Sequence, residues 1–329
     1  MIHAPCAVCG GDEPTPAFDV GRWHVVACGA CGHRYVDPRP DGEVLRTEVY
    51  HEHYFANPAF HATDGDAYHG YMDYRRDRPH IEARLREVLD HVEAKRAPGR
   101  LLDVGCGFGF FVALAQRSGW DAWGAELNHH AVAWGREHVT DRVVEATVDD
   151  LPFEDASMDL VTLFDVIEHL PDPAHDLVEV ARVLRPGGHL VVATPDAGSL
   201  AARVLGARWL EVQRAPEHLH FFDVPGLSRL LANAGFAAIE WHTMGKITSV
   251  RTVLADLKFS APRLFHALER GLDRLGAADR VVDVDPRTKF CVYARKGDQR
   301  DPTLPVRIQR RRPVLRLLGS GVSQAGPAT

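Results

Sequence analysis

The stretch "LLDVGCGFGFFVALAQ", residues 101–116, constrains the fold of this chain more than any other. An apolar run ends in an acid, glycines alternate at 105, 107 and 109, and an apolar helical pattern follows. Glycine permits positive φ and close approach of a ligand to the backbone. The spacing therefore predicts a strand, a tight turn and a helix, with a ligand held against the turn. Six further strand-like runs follow: "DAWGAE", "RVVEAT", "DLVTLFD", "HLVVATP", "AAIEWHTM" and "KFCVYARK". Helical patterns such as "AVAWGREH" and "AHDLVEVARVL" lie between most of them. Strands alternating with helices predict βαβ units, an α/β fold and a mostly parallel, doubly wound sheet. Ligands in such sheets sit beyond the carboxyl ends of the strands. Asp103, Glu126 and Asp165 each fall at or near such an end. A further helix is predicted over 81–96, where Ile81, Leu85, Val88, Leu89 and Val92 recur with helical period.

The chemistry of the turn narrows the ligand. A dinucleotide site takes G-x-G-x-x-G, with its third glycine at 110, where this chain has Phe110. Asp103 would also repel a pyrophosphate. S-adenosylmethionine (SAM) instead brings an ammonium and a sulfonium, which an acid attracts. Glu126 suits the two hydroxyls of a free ribose.

In order, "LLDVGCGFG", "GAEL", "DDLPF", "FDVIEHLPDP" and "RVLRPGGHLVVATP" resemble the motifs of class I SAM-dependent methyltransferases. The resemblance covers roughly 100–296 and implies a Rossmann-like, seven-stranded methyltransferase sheet. It implies that Asp103 and the loop of Gly105, Cys106, Gly107 and Gly109 hold the methionine end. By the same resemblance Glu126 holds the ribose and Leu127 packs on the adenine. The Val148 backbone and Asp149 reach the adenine amino group, and Asp165 faces the donor. Many relatives carry Asp where this chain has Thr147, which leaves the adenine contact open.

Upstream, Cys6-x2-Cys9 and Cys28-x2-Cys31 form two knuckles separated by 18 residues, with glycines beside them at 10, 29 and 32. Thiolates so spaced converge on one tetrahedral Zn²⁺. Residues 1–37 therefore read as a zinc ribbon with a closed, structural metal site. Two disulfides are the alternative, disfavoured in a cytosolic chain. The module sets Asp12, Glu13, Asp19 and Asp37 against Arg22, Arg34 and Arg39, so it is not basic. Similar N-terminal ribbons occur on sugar-modifying and other small-molecule methyltransferases. Cys106 and Cys291 read as buried thiols.

The acceptor side is sought in three places. Residues 38–97 hold a lid and then the helix. Five of the seven tyrosines (50, 54, 68, 71 and 74) fall there with His51, His53, His61 and His69. Aromatic rings with polar tips suit a sugar or aromatic acceptor, and packing on the core is the plain alternative. "APEHLHFFDVPGLSRLLANAGF" places His218 and His220 before a helix capped by Asp223 and ended by Gly235. Residues 246–285 read as a helical insertion, with Leu264, Phe265, Leu268, Leu272 and Leu275 along one side as a pocket cover or a homodimer surface. Membrane contact is the weaker reading of that face.

Methyl transfer to a hydroxyl needs alignment and a proton acceptor. His169, oriented by Glu168, is the expected base, with His218 and His220 behind it. A structural role for each of the latter two stays open. "DVIEH" is also similar to the Glu-x-x-Glu-His stretch of ubiquinone-pathway O-methyltransferases, which implies the alternative of Mg²⁺ on Asp165, Glu168 and His169. The net charge of −7 argues against a nucleic-acid partner, and there is no apolar run of about 18 residues to span a membrane. The first residues lack a signal-peptide pattern, so a cytoplasmic enzyme is expected. Residues 297–329 read as an unstructured Arg-rich tail, with a surface tether as the sharper alternative. The expected activity is methylation of a hydroxyl or carbon centre on a small molecule such as a sugar or nucleotide-sugar. An RNA methyltransferase and a non-catalytic SAM-binding regulator are the competing readings.

Overall fold

The computed structural model describes residues 2–40, 42–50, 54–55, 74–251, 254, 262–278 and 280–297. Of the Tyr/His-rich stretch, His51, His53, His61, Tyr68, His69 and Tyr71 lie outside these residues, as do 298–329 of the tail.

Strands β1 (Pro14–Val20), β2 (Trp23–Cys28) and β3 (Arg34–Val36) form an antiparallel meander. Gly21 makes the first hairpin turn at φ +57, a conformation the two-residue turn requires. A single turn α1 (Gly42–Val44) precedes α2 (Arg78–Glu93). Helix α2 starts earlier than its apolar period predicts, because Pro79 is tolerated in the first turn. It also ends earlier, as Pro98 follows and Arg96 turns away to pair with Asp159.

The central sheet then begins with β4 (Arg100–Val104), α3 (Phe110–Arg117), β5 (Asp121–Glu126), α4 (His129–His138) and β6 (Val143–Glu145). It continues with β7 (Met158–Phe164), α5 (Pro173–Val183) and β8 (Leu184–Pro195). Short helices α6 (Leu200–Leu205) and α7 (Leu210–Gln213) lead to the two-residue strand β9 (His220–Phe221). Helix α8 (Val224–Asn233) carries an Asp223 cap at 2.7 Å from the Gly226 amide, and Gly235 follows at φ +86. Strand β10 (Phe236–Thr243) closes this part.

The segment expected to be a helical insertion is only partly helical. Strands β11 (Lys246–Ser249) and β12 (Val281–Val284) pair and bracket α9 (Pro262–Arg274). The hairpin docks on α2 through an Arg84–Asp283 ion pair. Leu268 of α9 and Leu275 just after it are exposed, and the Leu264 side chain lies outside the described set. Strand β13 (Lys289–Lys296) completes the sheet.

The seven strands lie in the order β10-β13-β8-β7-β4-β5-β6. Strands β8, β7, β4, β5 and β6 are mutually parallel, and β13 runs antiparallel to both its neighbours. Side chains alternate between two cores, as a pleated sheet demands. Leu102, Val104, Val161, Leu163, Leu190 and Val192 face α5 and α8. Leu101, Leu160, Val191 and Ala193 face α2 and α3. Residues Met158–Leu163 of β7 are all buried, and the two polar ones among them, Asp159 and Thr162, are satisfied by Arg96 and Asp103. The Cys-rich meander is not free-standing, because β3 pairs with β9. No helix among the described residues is long and apolar enough to cross a membrane.

Candidate active site and cysteine cluster

The loops after β4, β5 and β7 meet at the carboxyl edge of the sheet. Gly105 takes φ +69, and a Cβ there would lie 2.3 Å from Val166 Cγ2, so the first and third of these loops touch only because residue 105 is glycine. The Gly107 amide donates to Glu126 Oε2 and the Asn128 amide to Oε1, both at 2.8 Å. The Thr162 hydroxyl donates to Asp103 Oδ1 at 2.6 Å. Burial and then the Glu126 carboxylate push Asp103 up to about 7, against the Thr162 bond. Burial also raises Glu126, against the amides that face it. No basic side chain among the described residues pairs with either acid. Both stand as buried carboxylates that a cationic ligand would stabilise.

Leu127 is 38% exposed beside Glu126. Val148 lies half-buried and Asp149 exposed in the loop after β6. Gly109 opens α3 at φ +79. Cys106 is buried, and its Sγ sits where a Cβ on Gly124 would be 2.4 Å away, which turns the thiol under the loop. Rings of Phe55 and Tyr74 stand over Gly107.

Across from these, β7 ends and Asp165 takes the left-handed φ of +56, starting a single 3-10 turn over Ile167–His169. Asp165 pairs with Lys289 at the start of β13. Glu168 is 1% exposed, and neither carboxylate oxygen has a hydrogen-bond partner. Burial and then Asp165 push it up to about 8. The expected orientation of His169 by Glu168 is not formed. His169 Nδ1 instead lies 2.9 Å from the carbonyl of Glu217. A carbonyl only accepts, so Nδ1 carries the proton and Nε2 keeps its lone pair. Burial holds the His169 pKa below its ordinary value, keeping the ring neutral at pH 7.

The His218 ring stands edge-on to His169 with centroids 4.8 Å apart. Glu217 is fully buried, accepts from Tyr54 at 2.8 Å and pairs with Arg214 at 2.5 Å. Glu211 lies 3.4 Å from His218. The expected metal trio of Asp165, Glu168 and His169 is corrected. Glu168, His169 and His218 are the groups whose ligand atoms lie within 4.8 Å of one another, while Lys289 occupies Asp165. His220 is corrected as well. Strand pairing turns it toward the Cys-rich meander, where Nδ1 meets His33 Nε2 at 3.1 Å, so it is no proton acceptor for a substrate. Sequence reasoning missed Lys289, Glu211, Arg214 and Glu217. Only Glu217 had a local signal, its place directly before His218.

The four knuckle sulfurs lie within 4.8 Å of one another and none is in a disulfide. Cys6 and Cys31 Sγ are 3.6 Å apart, and Cys9 and Cys28 Sγ 3.5 Å. Tetrahedral thiolates bound at about 2.3 Å would stand about 3.8 Å apart, close to these spacings. Against burial, the amides of Cys31 and Ala30 bring the Cys28 thiol down to about 7. Burial raises the Cys6 thiol instead, although the amides of Val8 and Cys9 face it. The donor set fits a Zn²⁺ ion.

Comparison with known proteins agrees with this geometry. Residues 74–240 match the model of a family described as a methyltransferase domain. A ubiquinone biosynthesis O-methyltransferase of Alkalilimnicola ehrlichii is 34% identical over 129 residues, 37% of this chain and 52% of that protein. One of the same name from Xanthomonas axonopodis is 34% identical over 162 residues, 45% of this chain and 67% of that protein. The chain thus spans between half and two thirds of the length of these relatives. A solved SAM-dependent methyltransferase of Archaeoglobus fulgidus covers 67% of this chain and 94% of its own, at 20% identity and a TM-score of 0.47. With half of its length matched by the family model, the chain belongs to the class I SAM-dependent methyltransferases.

Proposed function

We propose that this protein transfers the methyl group of SAM to a hydroxyl or carbon centre of a small molecule, with His169 as the proton acceptor. SAM supplies a methyl group on a sulfonium, open to in-line attack. Asp103 would hold its ammonium and Glu126 its ribose, with Leu127 against the adenine and Val148 and Asp149 near its amino group. The observation that carries the reading is the His169–Glu217 carbonyl bond. It fixes a neutral imidazole with Nε2 unprotonated, next to the loops that bear the donor-side acids. An acceptor hydroxyl placed there gives its proton to Nε2 as its oxygen attacks.

The acceptor side carries the acids Glu168, Glu211 and Glu217, and its cations Lys289 and Arg214 are already paired to acids, so no free cation stands ready for a phosphate among the described residues. That favours an uncharged hydroxylated group at the reacting end, as in a sugar, over a phosphate or an RNA backbone. Tyr50 and Tyr54, with ring centroids 5.2 Å apart, add apolar area with polar tips. The four-cysteine cluster holds a structural Zn²⁺ in this proposal, and the enzyme works in the cytoplasm. A second reading places a divalent ion on Glu168, His169 and His218, supported by the unpartnered Glu168 oxygens.

The test is turnover of SAM with a panel of sugars, nucleotide-sugars and catechols, read as S-adenosylhomocysteine. The His169→Asn enzyme should bind SAM normally and lose about 100-fold to 10,000-fold in kcat. Full turnover in that variant would reject His169 as the base. SAM binding without transfer to any acceptor would favour the regulator reading. Mg²⁺ restoring activity after a chelator that spares the thiolate site would favour the metal reading.

A further inference from the structure

We propose that the cysteine module is a positioning device for the acceptor half of the active site, and that its zinc sets the geometry of His169 from a distance. The inference rests on the proposed methyl transfer through His169. Knuckle residue Cys28 bonds its amide to the carbonyl of His33 at 2.9 Å. The next residues form β3, which pairs with β9 in the register Arg34 with Phe221 and Tyr35 with His220. Past the end of that pairing, the Val36 amide donates to the Leu219 carbonyl at 2.8 Å. The Leu219 amide donates in turn to the carbonyl of Glu168, also at 2.8 Å. Two residues before Leu219 lies Glu217, whose carbonyl fixes the His169 tautomer. A continuous backbone ladder therefore joins a metal-binding knuckle to both histidine-bearing loops.

Side chains reinforce the ladder. His33 stacks on His220 and Phe222 at 5.4 and 4.8 Å, and its Nε2 meets His220 Nδ1. Arg34 donates to the Ala197 carbonyl at 2.8 Å, and Arg39 reaches the Pro171 carbonyl. Cys6, Val8, Cys28 and Tyr35 belong to the same buried cluster as Ile167, Leu170 and Phe222. The donor half is built differently. Asp103, Glu126 and the glycine loop bond to one another and to Thr162 and Asn128, and none of their hydrogen bonds among the described residues involves residues 2–40.

A small module of this kind gains its fold from the metal. Losing the metal should therefore release 217–221 and the 3-10 turn while the donor half stays formed. The experiment uses the full chain, zinc-loaded and after zinc removal by a chelator with the released metal quantified. Hydrogen exchange should rise in 167–170 and 214–222 and stay unchanged in 101–109 and 121–128. The Kd for SAM should change by no more than about threefold, because the hydrogen bonds that hold Asp103 and Glu126 come from Thr162, Gly107 and Asn128 and not from the cysteine module. Methyl transfer should fall about 100-fold in kcat, the cost of a displaced catalytic group. A second variant, His33→Phe, keeps all four cysteines and the stacking but removes the bond to His220. It should retain one zinc per chain and its SAM affinity, and lower kcat without raising the KM for SAM. Unchanged exchange in 214–222 after zinc loss would overturn the proposal. So would SAM affinity lost in step with exchange across the whole sheet. If the exchange and SAM results hold while His169→Asn keeps full turnover, the coupling stands and only the role of His169 fails.

Discussion

Glu168→Gln should stabilise the SAM-free protein, and by more at higher pH. Glu168 is 1% exposed, with neither oxygen in a hydrogen bond, and its pKa is pushed from 4.5 up to about 8 by burial and by Asp165. Between those values the folded chain holds a proton on Glu168 that the unfolded chain has released. The unfolded state thus binds fewer protons, so stability falls as pH rises across that window. A rise from 4.5 to about 8 is worth on the order of 5 kcal/mol in total, or about 1.4 kcal/mol per pH step. Glutamine has the shape of the neutral acid and never ionises, so it lacks this slope. Urea unfolding of both proteins at about pH 5, 6, 7 and 8 isolates the effect as the difference between them. Asp103, pushed up to about 7, is present in both proteins and cancels. The stability advantage of the variant should be small near pH 5 and grow to several kcal/mol by pH 8. A difference that stays flat from pH 5 to 8 would mean Glu168 ionises in the ordinary carboxylate range and would refute the reasoning. A neutral Glu168 at pH 7 also implies that Glu168→Gln keeps kcat within about tenfold there, whereas the metal reading requires it to lose the ion.

Glu126→Gln should weaken SAM binding by about 10-fold to 100-fold in calorimetry, the worth of hydrogen bonds to a charged acceptor, and an unchanged Kd would remove Glu126 from the ribose site. Arg214→Met should cost about 3 to 5 kcal/mol, because it takes the guanidinium away from the fully buried Glu217. Adding Glu217→Leu should recover much of that loss in denaturant unfolding, and a double variant as weak as the single one would show that charge burial is not the cause. Gly135→Ala, inside α4, would ordinarily stabilise a helix by about 1 kcal/mol. Here its Cβ would lie 2.8 Å from the Phe108 carbonyl, so the sign should reverse to a loss of about 1 to 3 kcal/mol.

The sheet was legible because its inner strands, such as β4 and β7, are buried on both faces. All seven apolar runs of residues 100–296 became strands of one sheet, in an order that places Asp103, Glu126 and Asp165 along its carboxyl edge. The hairpin of β11 and β12 was not legible, since Lys246 pairs with Val284 and no local period marks so distant a pairing. Strand β9 has two residues and owes its strand character to β3, which precedes it by about 185 positions. Local pattern reports local burial. It carries no trace of a partner strand that arrives from elsewhere.

The two halves of the active site differ in the same way. The donor half consists of short loops after β4 and β5, so its residues lie within one stretch of sequence and the motif shows them together. The acceptor half is assembled from contacts across 48 residues for His169 and Glu217, 124 for Asp165 and Lys289, and 163 for Tyr54 and Glu217. Spacing alone suggested that Asp165, Glu168 and His169 share one helical face. The chain makes a single 3-10 turn there instead, preceded by a left-handed Asp165. That turn sends Glu168 into the core and leaves His169 bonded to the Glu217 carbonyl. What sets the tautomer of His169 is therefore a backbone carbonyl 48 positions away. Two residues after Glu217, the Leu219 carbonyl accepts from Val36 of the cysteine module, a contact that residues 161–173 alone do not reveal.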